Sequence, residues 1–151
     1  MARYEFFAPG IPQTKGSTKA FVPRGWRRAI VTNDNAKAKP WQGTIALAAR
    51  AAGVTMLPGA ASLTMTFRFL RPKSHIGKRG LRASAPARHT QKPDIDKCVR
   101  VVLDALTGIA YADDSQVVDI SAEKRWVTGE AGVRVVVDGL DGVAPSAADV
   151  P

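Results

Sequence analysis

The chain has 151 residues, 22 Lys/Arg against 13 Asp/Glu (formal net charge +9) and 45 % hydrophobic residues. That content excludes a disordered chain and suits one packed domain. The lone cysteine, Cys98, excludes an internal disulfide and a Cys-rich zinc site. No apolar run nears the ~20 residues of a membrane span, and the N-terminus lacks a signal-peptide core, so the expectation is a soluble, cytoplasmic protein with no membrane partner.

Taken in order, Arg3 to Ala8 is aromatic-rich and ends at Pro9-Gly10, which predicts a first strand. Gly10 to Gly25 reads as a loop or loose hairpin, and Arg27 to Thr32 as a short strand. Asn33 or Asn35 is placed to cap a helix from about Ala36 to Ala52, with Trp41, Ile45, Ala48, Ala49 and Ala52 at helical spacing. Ser62 to Leu70 alternates strictly, Leu63, Met65, Phe67 and Phe69 on one face, which predicts a half-buried strand.

Arg71 to Lys92 holds seven Lys/Arg, two His and no acid. It reads as a long surface loop, a length at which loops are often functional. Ile95 to Leu106 follows as a helix with a predicted stripe of Ile95, Val99, Val102, Leu103 and Leu106, and with Asp94 at its N-cap. Gln116 to Val127 and Val133 to Asp138 read as two strands joined by the turn Thr128 to Gly132. The tail from 141 to 151 is small and polar and is expected to fray. The expected fold is α+β. It is one domain over residues 1–140, with helices on one face of a mixed or largely antiparallel sheet and long basic loops.

Charge is distributed unevenly. The first 93 residues carry 17 Lys/Arg and two acids; the last 58 carry 5 and 11. Asp94, Asp96, Asp113 and Asp114 therefore sit next to a strongly basic half. Mg²⁺ takes one or two carboxylates and keeps waters and substrate phosphates in its other positions, which suits Asp-x-Asp plus a distant Asp. A basic half binds polyanions through released counterions. Together these features point to metal-assisted chemistry on a phosphate backbone.

The run Lys92-Pro-Asp94-Ile-Asp96-Lys97-Cys98-Val-Arg100, then Asp104-Ala-Leu-Thr-Gly, then Tyr111-Ala-Asp113-Asp114-Ser-Gln116-Val-Val-Asp119, resembles the RusA family of Holliday junction resolvases. The motif covers about Lys92 to Lys124. The resemblance implies a homodimeric, Mg²⁺-dependent endonuclease, with Mn²⁺ as a substitute and no small-molecule cofactor. It would make paired symmetric nicks in four-way DNA junctions in recombination and repair, and such enzymes are often phage-encoded. Carried over residue by residue, the metal-binding aspartates fall on Asp94, Asp96 and Asp114, with Asp113 as the adjacent family aspartate. Two positions depart from the pattern. Lys97 stands where Asn is common, and Arg100 where a functional Lys is common. Arg100 can still grip a phosphate, but it cannot readily lose a proton.

The DNA-contacting candidates are Lys15, Lys19, Lys73, Lys78, Arg79, Arg82, Arg88, Lys92, Lys97 and Lys124. Arg24, Arg27 and Arg28 lie near the aromatics Phe21 and Trp26, and Arg71 joins the long loop. His75 and His89 are the histidines available as a general base. Two other readings fit the same residues: a branched-DNA-binding protein without activity, and a metal-dependent nuclease of forks or flaps.

Overall fold

The computed structural model describes residues 2–15, 18–22, 24–28, 30–33 and 35–140, with the backbone alone described at 18–21 and 30–33. The expected tail at 141–151 and the side chains of Lys19 and Phe21 lie outside the described residues. Among the described residues, eight strands and two helices follow one another: β1 (Arg3–Pro9), β2 (Thr18–Phe21), β3 (Ile30–Asn33), α1 (Ala38–Ala51), β4 (Ala61–Leu70), β5 (Ile76–Gly77), β6 (Gly80–Leu81), α2 (Ile95–Leu106), β7 (Val117–Val127) and β8 (Gly132–Gly139).

The main sheet has the order β1-β8-β4-β7. β8 runs antiparallel to β1 and β4, while β7 runs parallel to β4, so the sheet is mixed. β2–β3 and β5–β6 form separate two-stranded hairpins. The strand alternation decides what each face does. In β4 the odd positions Leu63, Met65 and Phe67 are 0–1 % exposed, and Val133, Val135 and Val137 of β8 are fully buried beside them. α1 lies against β1, α2 against β7, and the helices pack on each other over this apolar face. The predicted α+β class is therefore what the chain adopts, with both helices on one face.

The opposite face is charged and self-neutralised. Arg3 pairs with Asp138, Arg134 with Glu5 and Arg125 with Glu123. Phe67 is fully buried in β4, one of the two inner strands. Phe67→Ala is expected to cost about 3–5 kcal/mol, read as a shift in the urea unfolding midpoint at unchanged slope.

One point the sequence left open is decided here, and two expectations need correction. β7 and β8 do not pair with each other, because β4 lies between them and the connection after β7 steps over its end. The buried stripe of α2 is Cys98, Val101, Val102, Ala105 and Leu106, with Ile95 37 % exposed. The helix is turned so that the small side chains Cys98 and Ala105 are buried in the core, and burial pushes the Cys98 thiol up to about 11. Finally, the acid-free segment after β4 is not an unstructured loop. It contains a 3-10 turn at Lys73–His75 and the β5–β6 hairpin, whose tip is Lys78-Arg79.

The Asn35 cap is indirect, since the N-cap residue of α1 is Lys37. The Asn35 side-chain oxygen accepts the Lys37 N–H at 3.0 Å, and the Asn35 amide donates to the Thr14 carbonyl at 2.7 Å. This ties residues 13–15 to the start of α1.

Candidate active site

Asp94 has the extended backbone of an N-cap residue (φ −69°, ψ 142°), but its carboxylate makes no cap bond. The carboxylate turns outward, where the Lys92 ammonium donates to both oxygens at 2.9 Å. That contact, helped by the charges of Lys124 and Lys97, holds the Asp94 carboxyl below the usual carboxylate range. Asp96, in the first turn of α2, is also exposed and pairs with Lys97 at 3.3 Å. A side chain that leaves its capping position gives up local stabilisation and keeps its lone pairs available.

A cleft of about 780 Å³ opens beside Asp94. Lys15, Lys92, Lys97 and Arg100 line it with Asp94, and Phe69 forms part of its apolar wall. Four cations around one carboxylate make the cleft attractive to a polyanion. Arg100 makes no ion pair among the described residues; Asp104, one turn further on, pairs with Lys15 at 3.5 Å. That pair lays the N-terminal segment along α2 and puts Lys15 at the cleft.

Asp113 and Asp114 lie elsewhere in the chain. α2 ends at Leu106, and the buried Tyr111 ties the following turn back by donating from its hydroxyl to the Leu103 carbonyl at 2.8 Å. Burial, with the nearby Asp114 charge, pushes that phenol up. The Asp113 carboxylate then caps the 3-10 turn Asp114–Gln116 by accepting the Ser115 N–H at 2.9 Å, which lowers its pKa. Gln116 completes the box, accepting the Ala112 and Asp113 N–H groups, and its amide donates to the Leu57 and Gly59 carbonyls. Asp-x-x-Gln is a capping-box pattern, so this turn was legible in the sequence. It leaves the two aspartates unequal: Asp113 is engaged in the turn, and Asp114 is exposed at its start.

The two carboxylate groups thus stand at opposite ends of α2. Twelve helical residues separate them, about 18 Å at 1.5 Å per residue. Asp94 shares its cleft with Phe69 at the far end of β4, whereas Gln116 ties the Asp113-Asp114 turn to Gly59 at the entry of that strand. Among the described residues no three acidic, His or Cys side chains are grouped to hold a metal within one chain.

The basic segment is anchored rather than loose. His89 is 6 % exposed, packed between Phe69 and Trp126 with ring centroids 4.3 Å from each. Burial and the nearby Lys124 charge lower its pKa, so it is a neutral packing group turned away from solvent. His75 meets Trp126 edge-on, and the Arg71 guanidinium donates to the Pro86 carbonyl at 2.7 Å. Lys73, Lys78, Arg79, Arg82 and Arg88 remain exposed on this anchored segment. Lys124 differs from them: it is half-buried, and its ammonium donates to the Gln91 and Pro93 carbonyls at 2.8 and 2.9 Å. Nothing in the local sequence signalled these ties. They depend on β7 lying beside β4. Trp26, between β2 and β3, is 59 % exposed.

A family model described as Endodeoxyribonuclease RusA matches residues 9–138, most of the chain. The chain belongs to the RusA endodeoxyribonuclease family. It is also 31 % identical over 137 residues to the Uncharacterized protein YqaN of Bacillus subtilis (strain 168), covering 88 % of this chain and 94 % of that relative. Within the RusA family the activity is that of a nuclease acting on branched DNA, generally with a divalent metal. No helix among the described residues is long and apolar enough to cross a membrane.

Proposed function

We propose that this RusA-family chain is a Holliday junction resolvase that uses Mg²⁺, with Mn²⁺ as a substitute, to make paired nicks in four-way DNA junctions. The observation that carries the reading is the Asp94 carboxylate, which leaves its capping position to face a cleft ringed by Lys15, Lys92, Lys97 and Arg100. Asp94 and Asp96 offer only hard oxygen donors from an exposed helix start, a set that suits Mg²⁺ and not zinc. Bound there, a divalent ion supplies Lewis acidity, activating water and stabilising charge at the phosphate. Arg100 and Lys97 hold the scissile phosphate; the guanidinium binds it bidentately and stays protonated, so it orients and neutralises without exchanging a proton. The anchored segment with Lys73, Lys78, Arg79, Arg82 and Arg88 tracks the DNA arms. The opposite sheet face, where three ion pairs tie up most of the charge, is left out of the DNA surface. The working domain is residues 1–140, acting in the cytoplasm.

The same reading requires a homodimer. Asp114 lies about a helix length from Asp94, so one chain cannot bring it to the same ion. A two-fold axis reverses α2 against its copy and carries Asp114 of the partner subunit toward Asp94 and Asp96. β7 is the edge that offers this contact. It is eleven residues long, pairs only with β4 among the described residues, and exposes Val118 and Ile120. An open edge of that length invites pairing with a second copy.

The test is a synthetic four-way junction incubated with protein and Mg²⁺, with cuts mapped on all four strands. Symmetric cuts on two opposing strands are expected. Tight binding with no cut in Mg²⁺ or Mn²⁺ would leave only a branched-DNA-binding protein, and a preference for forks or flaps would move the substrate.

A further inference from the structure

We infer that Lys124 is a positioning residue for Asp94, acting through the main chain of residues 91–93 and not through a DNA phosphate. This inference rests on the nuclease reading above. The register of β7 on β4 sets Lys124 beside Phe67, between the pairs Met65–Ala122 and Phe69–Trp126. Its side chain therefore emerges on the apolar, helix-covered face of the sheet. A cation leaving such a face needs acceptors close by, because desolvation without them is costly.

It finds two. The ammonium donates to the Gln91 carbonyl at 2.8 Å and the Pro93 carbonyl at 2.9 Å. These carbonyls bracket Lys92, and Pro93 is the residue before Asp94. Gln91 and Pro93 belong to no strand or helix, so no ladder supplies partners for their carbonyls. The lysine supplies them instead. Two further contacts from the same region hold the chain upstream: Trp126 donates from its indole nitrogen to the Arg88 carbonyl at 3.1 Å, and the His89 ring lies against Trp126 and Phe69. β7 therefore grips the segment at 88, 89, 91 and 93, and the last grip is one residue from the carboxylate.

The Asp94 side chain makes no cap bond to α2; the helix holds only the main chain, through the Cys98 N–H donated to the Asp94 carbonyl at 3.2 Å. Lys92 meets the Asp94 carboxylate, α2 holds the carbonyl after it, and Lys124 holds the peptide before it, which sets where the side chain leaves the main chain. With two of its three ammonium protons in use, Lys124 has one left for any other acceptor.

Lys124→Met keeps the apolar stem and removes every donor. In metal-free, DNA-free protein, amide exchange at 91, 92 and 94–97 is expected to speed up about tenfold, with β4 and β8 unchanged. Junction affinity in EDTA is expected to stay within about threefold, with an unchanged slope against log salt. The Mg²⁺ concentration for half-maximal cleavage is expected to rise about tenfold. A DNA contact gives the reverse: unchanged exchange and a salt slope shallower by about 1, which overturns the inference. Exchange that quickens equally in β4 and β8 marks general packing and overturns it too. If Lys124→Met does not fold, Lys124→Gln, neutral and with one amide donor group, takes the same measurements, and the same outcomes support or overturn the inference. Exchange and salt slope need no cleavage. A wild type that never cuts therefore sinks the nuclease reading, while Lys124 is still decided separately.

Discussion

Asp94→Asn is expected to bind a four-way junction at least as tightly as wild type and to lose metal-dependent nicking by about a thousandfold or more. The separation of effects follows from the local geometry. The carboxylate does not cap α2, and Asn is as good an N-cap as Asp, so stability should change by no more than about 0.5 kcal/mol. Its neighbours Lys15, Lys92, Lys97 and Arg100 stay in place, and removing one negative charge among them leaves the cleft more attractive to phosphate. The measurement is a gel-shift titration in EDTA next to single-turnover cleavage in Mg²⁺. Weakened binding that tracks the lost activity would make Asp94 a DNA-positioning group and remove it from the metal site.

The second large effect concerns how the site is shared. Asp94→Asn and Asp114→Asn proteins are each expected to be inactive alone. Mixed and allowed to exchange subunits, they are expected to recover nicking. With each metal site built from Asp94 of one subunit and Asp114 of the other, a mixed dimer holds one doubly substituted site and one intact site. Half of the dimers at random exchange then carry a working centre, and these cut one strand of the junction instead of two. The gain runs from background to a fraction of wild-type single-strand nicking, read on a junction labelled on each strand. If each site were complete within one chain, every site in the mixed dimer would carry a substitution, and no mixture would recover activity. That result would end the shared-site proposal. Light scattering of the wild type at micromolar concentration, giving a monomer, would end it sooner.

Some of this was legible because it depends on near neighbours in the chain. The period-two alternation of Leu63, Met65, Phe67 and Phe69 identifies a strand with one buried face, and all four are buried in the core. α1 occupies Ala38–Ala51, where the helical spacing of Trp41 and Ile45 places it. The run from Lys92 to Asp119 carries enough spaced residues to mark the family. The α2 stripe departs from its expectation because weighting by size favours Ile95, Val99 and Leu103, whereas the buried face takes in the smaller Cys98, Val101 and Ala105. Where β7 and β8 lie in the sheet was not legible for a related reason. A short turn between two strands is necessary for direct pairing, but it does not exclude a third strand, and β4 is apolar enough to take the centre.

The sequence by itself determined the two helices, the main-sheet strands, the family and the residue types at the site, since each is written in local spacing and charge. Only the tertiary structure decided that the carboxylates stand a helix length apart, that His89 is packed between two aromatic rings, and that Lys124 holds backbone carbonyls. These are distances between residues remote in the chain. They are fixed by which strand lies beside which, and sheet order is set by competition among all the apolar faces at once.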